Sequence, residues 1–310
     1  MMAAERIDEP SDFVHAPVML AEVLGAIVPA APRVLVDVTA GGAGHSAALL
    51  RALPEATLYA FDRDPLAIRA ASERLAEFGS RARVTHASFD EVEPALQSFG
   101  VTQIDALLAD LGLSSAQLAD AGRGMSFRSE GPLDMRMDTT RGVTALELID
   151  QLSQEELADV IYELGEERGS RRIARCIKQA LFGSKLETTL DLRRAVVRAM
   201  GPRRIGGVDP ATRTFQALRM AVNGELDQLK TLLPLARRTL RPGGIAAIIS
   251  FHSLEDRLVK REFAERETWR PLSKKPLVAS PAEVSENPRA RSAKLRAAER
   301  LGEPDPESER

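Results

Sequence analysis

Cysteine is all but missing: Cys176 is the only one in 310 residues, which excludes an internal disulfide and any cysteine-based metal cluster. Histidine is nearly as scarce. The four, at 15, 45, 86 and 252, are scattered and none pairs at helical ligand spacing, so no metal site is expected. No apolar run approaches the roughly 20 residues of a membrane span. Glu5, Asp8, Glu9 and Asp12 stand where a secretory signal would be basic and then apolar, so the expectation is a cytoplasmic protein without membrane contact. Only 4% of residues are aromatic, while 44% are hydrophobic; that balance fits a water-soluble globular chain of about two domains.

What is present begins at Val34, where an apolar run, Val-Leu-Val-Asp37-Val, breaks into Thr39-Ala-Gly-Gly-Ala43-Gly44-His45-Ser46. A second apolar run ends on Asp62. A glycine-rich turn after a strand, followed by an acid closing the next strand, is how an α/β sheet builds a nucleoside site: the backbone approaches the ligand and the carboxylate accepts from ribose hydroxyls. The turn lacks the dinucleotide fingerprint, since from Gly42 the third glycine is replaced by Ala47. Read as acid-x-small-x-Gly-x-small, it gives Asp37, Thr39, Gly41 and Ala43, the form of the first motif of S-adenosylmethionine-dependent methyltransferases.

A net charge of −3 hides a basic segment. Residues 168–213 carry twelve Arg and Lys, among them Arg171, Arg172, Arg175 and Lys178, against Glu187, Asp191 and Asp209. Guanidinium groups match phosphate geometry, and counterion release drives their binding to nucleic acid. RNA contact is expected there.

Strand-like runs at 34–38, 57–61, 83–87 and 104–109 alternate with helical stretches, predicting a parallel sheet. From about 120 to 208 the period is helical: Leu157, Val160, Ile161 and Leu164 follow a Ser153/Glu156 capping box, then Ile173, Cys176, Ile177, Ala180 and Leu181 share a face, then Leu192, Ala195, Val196 and Ala199. Cys176 therefore reads as a buried apolar residue rather than a nucleophile. The α/β pattern resumes with a helix through Phe215, Leu218 and Val222, a stop at Asn223-Gly224, and an apolar strand at 245–250. The reading is a Rossmann-like sheet (1–119 and 209–268) interrupted by an all-helical unit (120–208), with a basic loop and tail from 269 to 310.

Three further blocks carry polar residues: Asp110-Leu-Gly-Leu-Ser114-Ser-Ala-Gln117 at a strand end, a charged loop over 123–138, and Ser250-Phe-His252-Ser-Leu-Glu255-Asp-Arg after the late strand. With His15-x-Pro-Val, Asp62-Arg-Asp-Pro, Gly131-Pro-Leu-Asp-Met-Arg-Met-Asp, Pro210-Ala-Thr-Arg-x-Phe-Gln-Ala-Leu-Arg and Asn287-Pro-Arg-Ala-Arg-Ser-Ala-Lys-Leu-Arg, they run in order from residue 15 to about 300. In this combination the chain closely resembles the RsmH (MraW) family, which methylates N4 of a cytidine in the decoding region of 16S ribosomal RNA. Two positions depart from the common pattern: Ala43 stands where many members have glycine, and Asp209 where many have histidine.

The resemblance implies a class I methyltransferase fold and S-adenosylmethionine held by Ala43, Gly44, His45, Asp62, Phe89, Asp110 and Gln117. From the residues alone, His45 reads equally as a helix-start residue and Phe89 as a core aromatic. Asp110 is the leading hydrogen-bond acceptor for the target amine, with Ser114 and His252 as alternatives. The insert and the 123–138 loop are expected to hold phosphates flanking an unstacked base. The family points to an assembled small subunit as substrate and leaves a homodimer open. Two rivals remain on the residues: an NAD-dependent oxidoreductase, disfavoured by the missing glycine, and a non-catalytic RNA-binding factor, which need not keep Asp62, Asp110 and Gln117.

Overall fold

The computed structural model describes residues 17–202 and 209–302. His15, Arg203 and Arg204 lie outside them. The chain forms α1 (Leu20–Ile27), β1 (Val34–Asp37), α2 (Gly44–Ala52), β2 (Thr57–Asp62), α3 (Pro65–Leu75), β3 (Ala82–His86), α4 (Phe89–Ser98), β4 (Ile104–Asp110) and α5 (Ser115–Ala119). Next come α6 (Ala145–Gln151), α7 (Gln154–Gly165), α8 (Ser170–Phe182), α9 (Thr189–Met200), α10 (Thr212–Asn223) and α11 (Glu225–Thr239). The last stretch holds β5 (Leu240–Ser250), α12 (Ser253–Glu262), β6 (Trp269–Pro271), β7 (Leu277–Val278), α13 (Pro281–Glu286) and β8 (Lys294–Arg300).

The sheet order is β3-β2-β1-β4-β5-β8-β6, with β7 also on β8. The first five strands of that order are parallel and β8 is antiparallel. Strand order reverses between β1 and β4, so the crevice outside their carboxyl ends is the ligand position of a doubly wound sheet. Asp37, Asp62 and Asp110 each close a strand there. The apolar runs that announced β1, β2 and β4 are buried because helices cover both faces of a parallel sheet.

The helical insert has its own core, in which Leu157, Ile161, Ile173, Ile177, Leu192 and Val196 meet. It differs from the expectation in its loop and in its far boundary. The charged loop is not simply a solvated loop: Leu133, Met135 and Met137 are buried in that core while Asp134 and Arg136 pair with each other at 2.8 Å. Alternation with period two put the apolar side chains inside without forming a strand. At the other end α10 packs on α7, and Ala211, Phe215 and Leu218 belong to the helical core, so the insert extends past 208 to Asn223. Asn223 is the joint, since it accepts from Met137 N–H at 2.7 Å and donates to Met135 O at 2.8 Å.

The segment from 269 to 302 also differs from the expected basic loop and tail. It is not a loose tail: β8 sits between β5 and the β6/β7 edge, burying Leu295 and Ala298. Its outward Lys294 and Arg296 hold Asp256 of α12 at 3.2 and 2.7 Å, which is why the strand looks basic in sequence.

Candidate active site

A cavity of about 470 Å³ opens at the strand ends, lined among others by Gly44, His45, Asp62, Phe89, Asp110, Ser114 and Gln117. One wall is the glycine-rich turn. Asp37, fully buried, accepts from Ser46 Oγ at 2.6 Å and from Thr39 N–H at 3.0 Å, and Thr39 Oγ1 in turn accepts from Asp110 N–H at 2.6 Å. The first motif acid therefore fixes the turn and the end of β4 together. Gly44 is required by space, since a Cβ there would run into the Pro17 ring. Ala43 adopts φ 55°, a conformation glycine takes without strain. Its methyl is buried in the core under the turn rather than on the cavity wall.

Asp62 reaches back to the turn, accepting from Gly41 N–H at 2.8 Å and Asp64 N–H at 2.9 Å. Burial pushes its carboxyl up to about 6 against those two bonds. Phe89 opens α4, is half-buried, and faces the cavity from the core beneath that helix.

Asp110 lines the opposite end. Its Oδ1 is buried without a hydrogen-bond partner, while Oδ2 lies 3.9 Å from His45 Nδ1. Burial raises this carboxyl to about 6, with His45 pulling the other way. His45 Nε2 is 2.8 Å from Val18 O; a carbonyl only accepts, so Nε2 carries a proton and donates it, which leaves Nδ1 on the Asp110 side.

The other expected residues are more heavily committed. Ser114 caps α5, and Gln117 closes that capping box while its Nε2 donates to Asp64 Oδ2 at 2.8 Å. His252 caps α12 through Nδ1 and does not line the cavity. Its place just after a strand suggests a ring offered to a ligand, and the structure uses that ring for the helix N-terminus instead.

Three residues outside the expected cofactor and catalytic positions complete the wall. Arg289, from the Asn287-Pro-Arg block, reaches the carbonyl of Leu113 and lines the cavity near Asp110. Phe251 covers Gly112, its Cδ2 only 3.6 Å from where a Cβ on that glycine would stand. Arg123 is buried against Asp64 at 2.8 Å and also donates to Met137 O at 2.5 Å. The expected phosphate clamp in the 123–138 loop is thereby reduced, because Arg123 and Arg136 both have carboxylate partners and Arg128 alone of its three arginines is exposed.

Among the described residues one group brings three ligand atoms within 4.8 Å, Glu225, His252 and Glu255. Arg219 already grips both oxygens of Glu225 at 2.7 and 2.8 Å. A guanidinium thus supplies the positive charge there.

The MraW methylase family matches residues 12–301 of this chain. The chain belongs to that family. It is 62% identical over 288 residues to the ribosomal RNA small subunit methyltransferase H of Sorangium cellulosum, covering 93% of this chain and 91% of the relative. It is 47% identical over 296 residues to the protein of the same name from Deinococcus radiodurans, with 96% and 93% covered. The sheet is accordingly the Rossmann-like class I methyltransferase sheet, and S-adenosylmethionine is the cofactor of this MraW methylase. The cavity has polar groups that fit that molecule, with Asp62 and the glycine-rich turn along one side and the Asp110 carboxyl at the other end. No helix among the described residues is long and apolar enough to cross a membrane.

Proposed function

We propose that the protein methylates N4 of a cytidine in the decoding region of 16S ribosomal RNA, with an assembled small subunit as substrate. The observation that carries this reading is the Asp110 carboxyl, which lines the cavity at the carboxyl end of β4 with its side chain 26% exposed. An exocyclic amine needs an acceptor for N–H while its nitrogen attacks, and a carboxylate lining the cavity supplies one. When bound, S-adenosylmethionine offers an electrophilic methyl on a sulfonium. The Asp110 carboxylate would orient the amine and take its proton, with Thr39 Oγ1 accepting from the Asp110 backbone N–H and so fixing the end of β4. Cys176 lies on the buried side of α8, which favours direct transfer to nitrogen over a covalent route to C5.

The names of the relatives support ribosomal RNA of the small subunit as the substrate class. The test is methyl transfer to subunits from cells lacking the protein, with the nucleoside identified by mass spectrometry: N4-methylcytidine is expected, and 5-methylcytidine would overturn the mechanism. Cofactor binding is tested separately. Asp62→Ala should weaken S-adenosylmethionine binding about 10- to 100-fold, because charge-assisted hydrogen bonds are worth roughly 1.5–3 kcal/mol. Parent affinity by titration calorimetry would remove Asp62 from the site.

A further inference from the structure

The charges of the insert predict RNA contact, yet the fold takes several of them away from solvent. Lys178 is buried, its Nζ 2.6 Å from Ile149 O and 3.2 Å from Asp150 O at the carboxyl end of α6. Arg193 is paired with Asp209 at 2.8 Å, and Arg194 with Asp191. What is left is concentrated on α8. Arg171, Arg172 and Arg175 are exposed and make no ion pair among the described residues, and the helix contains no acid. Positions 171, 175 and 182 fall on one stripe of a 3.6-residue helix, opposite the buried Ile173, Ile177 and Ala180.

Phe182 ends that stripe and is 81% exposed. No ring or guanidinium among the described residues covers it. An uncovered phenyl in line with uncompensated arginines offers a base a face to stack on and its backbone a row of cations, which is the chemistry of single-stranded RNA. A paired duplex keeps its base faces inside the stack and can use only the charges.

We infer that the α8 stripe of Arg171, Arg175 and Phe182 is a single-stranded RNA site, with Phe182 stacking on an unpaired base beside phosphates held by the arginines. This deepens the proposed function and rests on it, because it names how the insert would grip the substrate. Stacking releases no counterions, whereas phosphate binding does. The two contributions therefore separate in a salt titration.

The experiment uses the full chain, a short single-stranded RNA and the same RNA annealed to its complement, with binding followed by anisotropy of an end-labelled strand in the absence of methyl donor. Phe182→Ser should weaken single-strand binding about tenfold at every salt concentration without changing the log–log slope. Replacing Arg171, Arg172 and Arg175 by Gln should flatten the slope by roughly 0.7 for each phosphate no longer neutralised. In Phe182→Trp the new indole should be quenched by the single strand and not by the duplex, since Trp269 is buried and gives a constant background.

Parent-like affinity of Phe182→Ser, or an unquenched indole in a complex that anisotropy shows to have formed, overturns the inference. So does a parent protein that binds no single strand, and so does sedimentation showing that Phe182→Ser converts a dimer to a monomer, which would give the face to a second copy of the chain. Methyl transfer to subunits by the parent protein, assayed separately, judges the enzymatic reading whichever of these results is found.

Discussion

Asp110→Asn is expected to lose most turnover, about 100-fold or more, and yet to make the unliganded protein more stable at pH 8. The first effect follows from removing the acceptor, since a positioned general base contributes typically 10²–10⁴-fold. The alternatives suggested by the sequence are poorly placed to rescue it: the Ser114 hydroxyl caps α5, and His252 caps α12 off the cavity wall. The second effect follows from burial, which raises the Asp110 carboxyl to about 6, above the roughly 3.9 of an unfolded chain. The folded protein therefore binds more protons than the unfolded chain between about pH 4 and 6, and its stability falls as pH rises through that window. Above it the ionised carboxylate costs on the order of 1–3 kcal/mol. Asparagine removes this cost, so the variant should be the more stable protein at pH 8 and lose its advantage near pH 4. Denaturant titrations at the two pH values check the sign. Single-turnover rates of the parent should rise between pH 5 and 7 as Asp110 ionises, and a flat profile together with a near-normal Asn variant would assign proton acceptance to another group.

The sheet was legible in the sequence because parallel strands covered on both faces must be continuous apolar runs; Val34 to Asp37 and Ile104 to Asp110 could hardly be anything else. β8 was not legible for the opposite reason. It is antiparallel, and its Lys294, Arg296 and Glu299 look like a solvated tail until Asp256 and Arg270 are placed beside them. The site divided along a similar line. Asp62 and Asp110 announced themselves as acids ending buried strands, whereas Arg289 is 176 residues from the carbonyl it reaches, and no local pattern encodes such an approach. Lys178 misled because a helical wheel sees only its own helix: that residue sits at the edge of the exposed stripe, and the end of α6 covers it.

Arg123→Met is expected to produce the largest loss of stability among single substitutions near the site. Arg123 and Asp64 are 5% and 1% exposed, and the pair is made through two guanidinium nitrogens at 2.8 and 3.3 Å. Removing one partner of a buried pair leaves the other charge uncompensated, which costs about 3–5 kcal/mol. Here the loss would spread into the cavity wall, because Asp64 also takes the Gln117 amide at 2.8 Å and caps α3 through Leu66 N–H at 3.0 Å. Arg123 ties in the insert as well, through the carbonyls of Arg136 and Met137 at 3.2 and 2.5 Å. The variant should therefore lose affinity for S-adenosylmethionine along with its stability. Adding Asp64→Asn removes the stranded charge, so the double variant should recover part of the loss in denaturant titrations, with a coupling of about 1–3 kcal/mol. A single-variant cost below about 1 kcal/mol, or strictly additive costs in the cycle, would mean that water reaches Asp64 and that the pair does not join the insert to the cofactor wall.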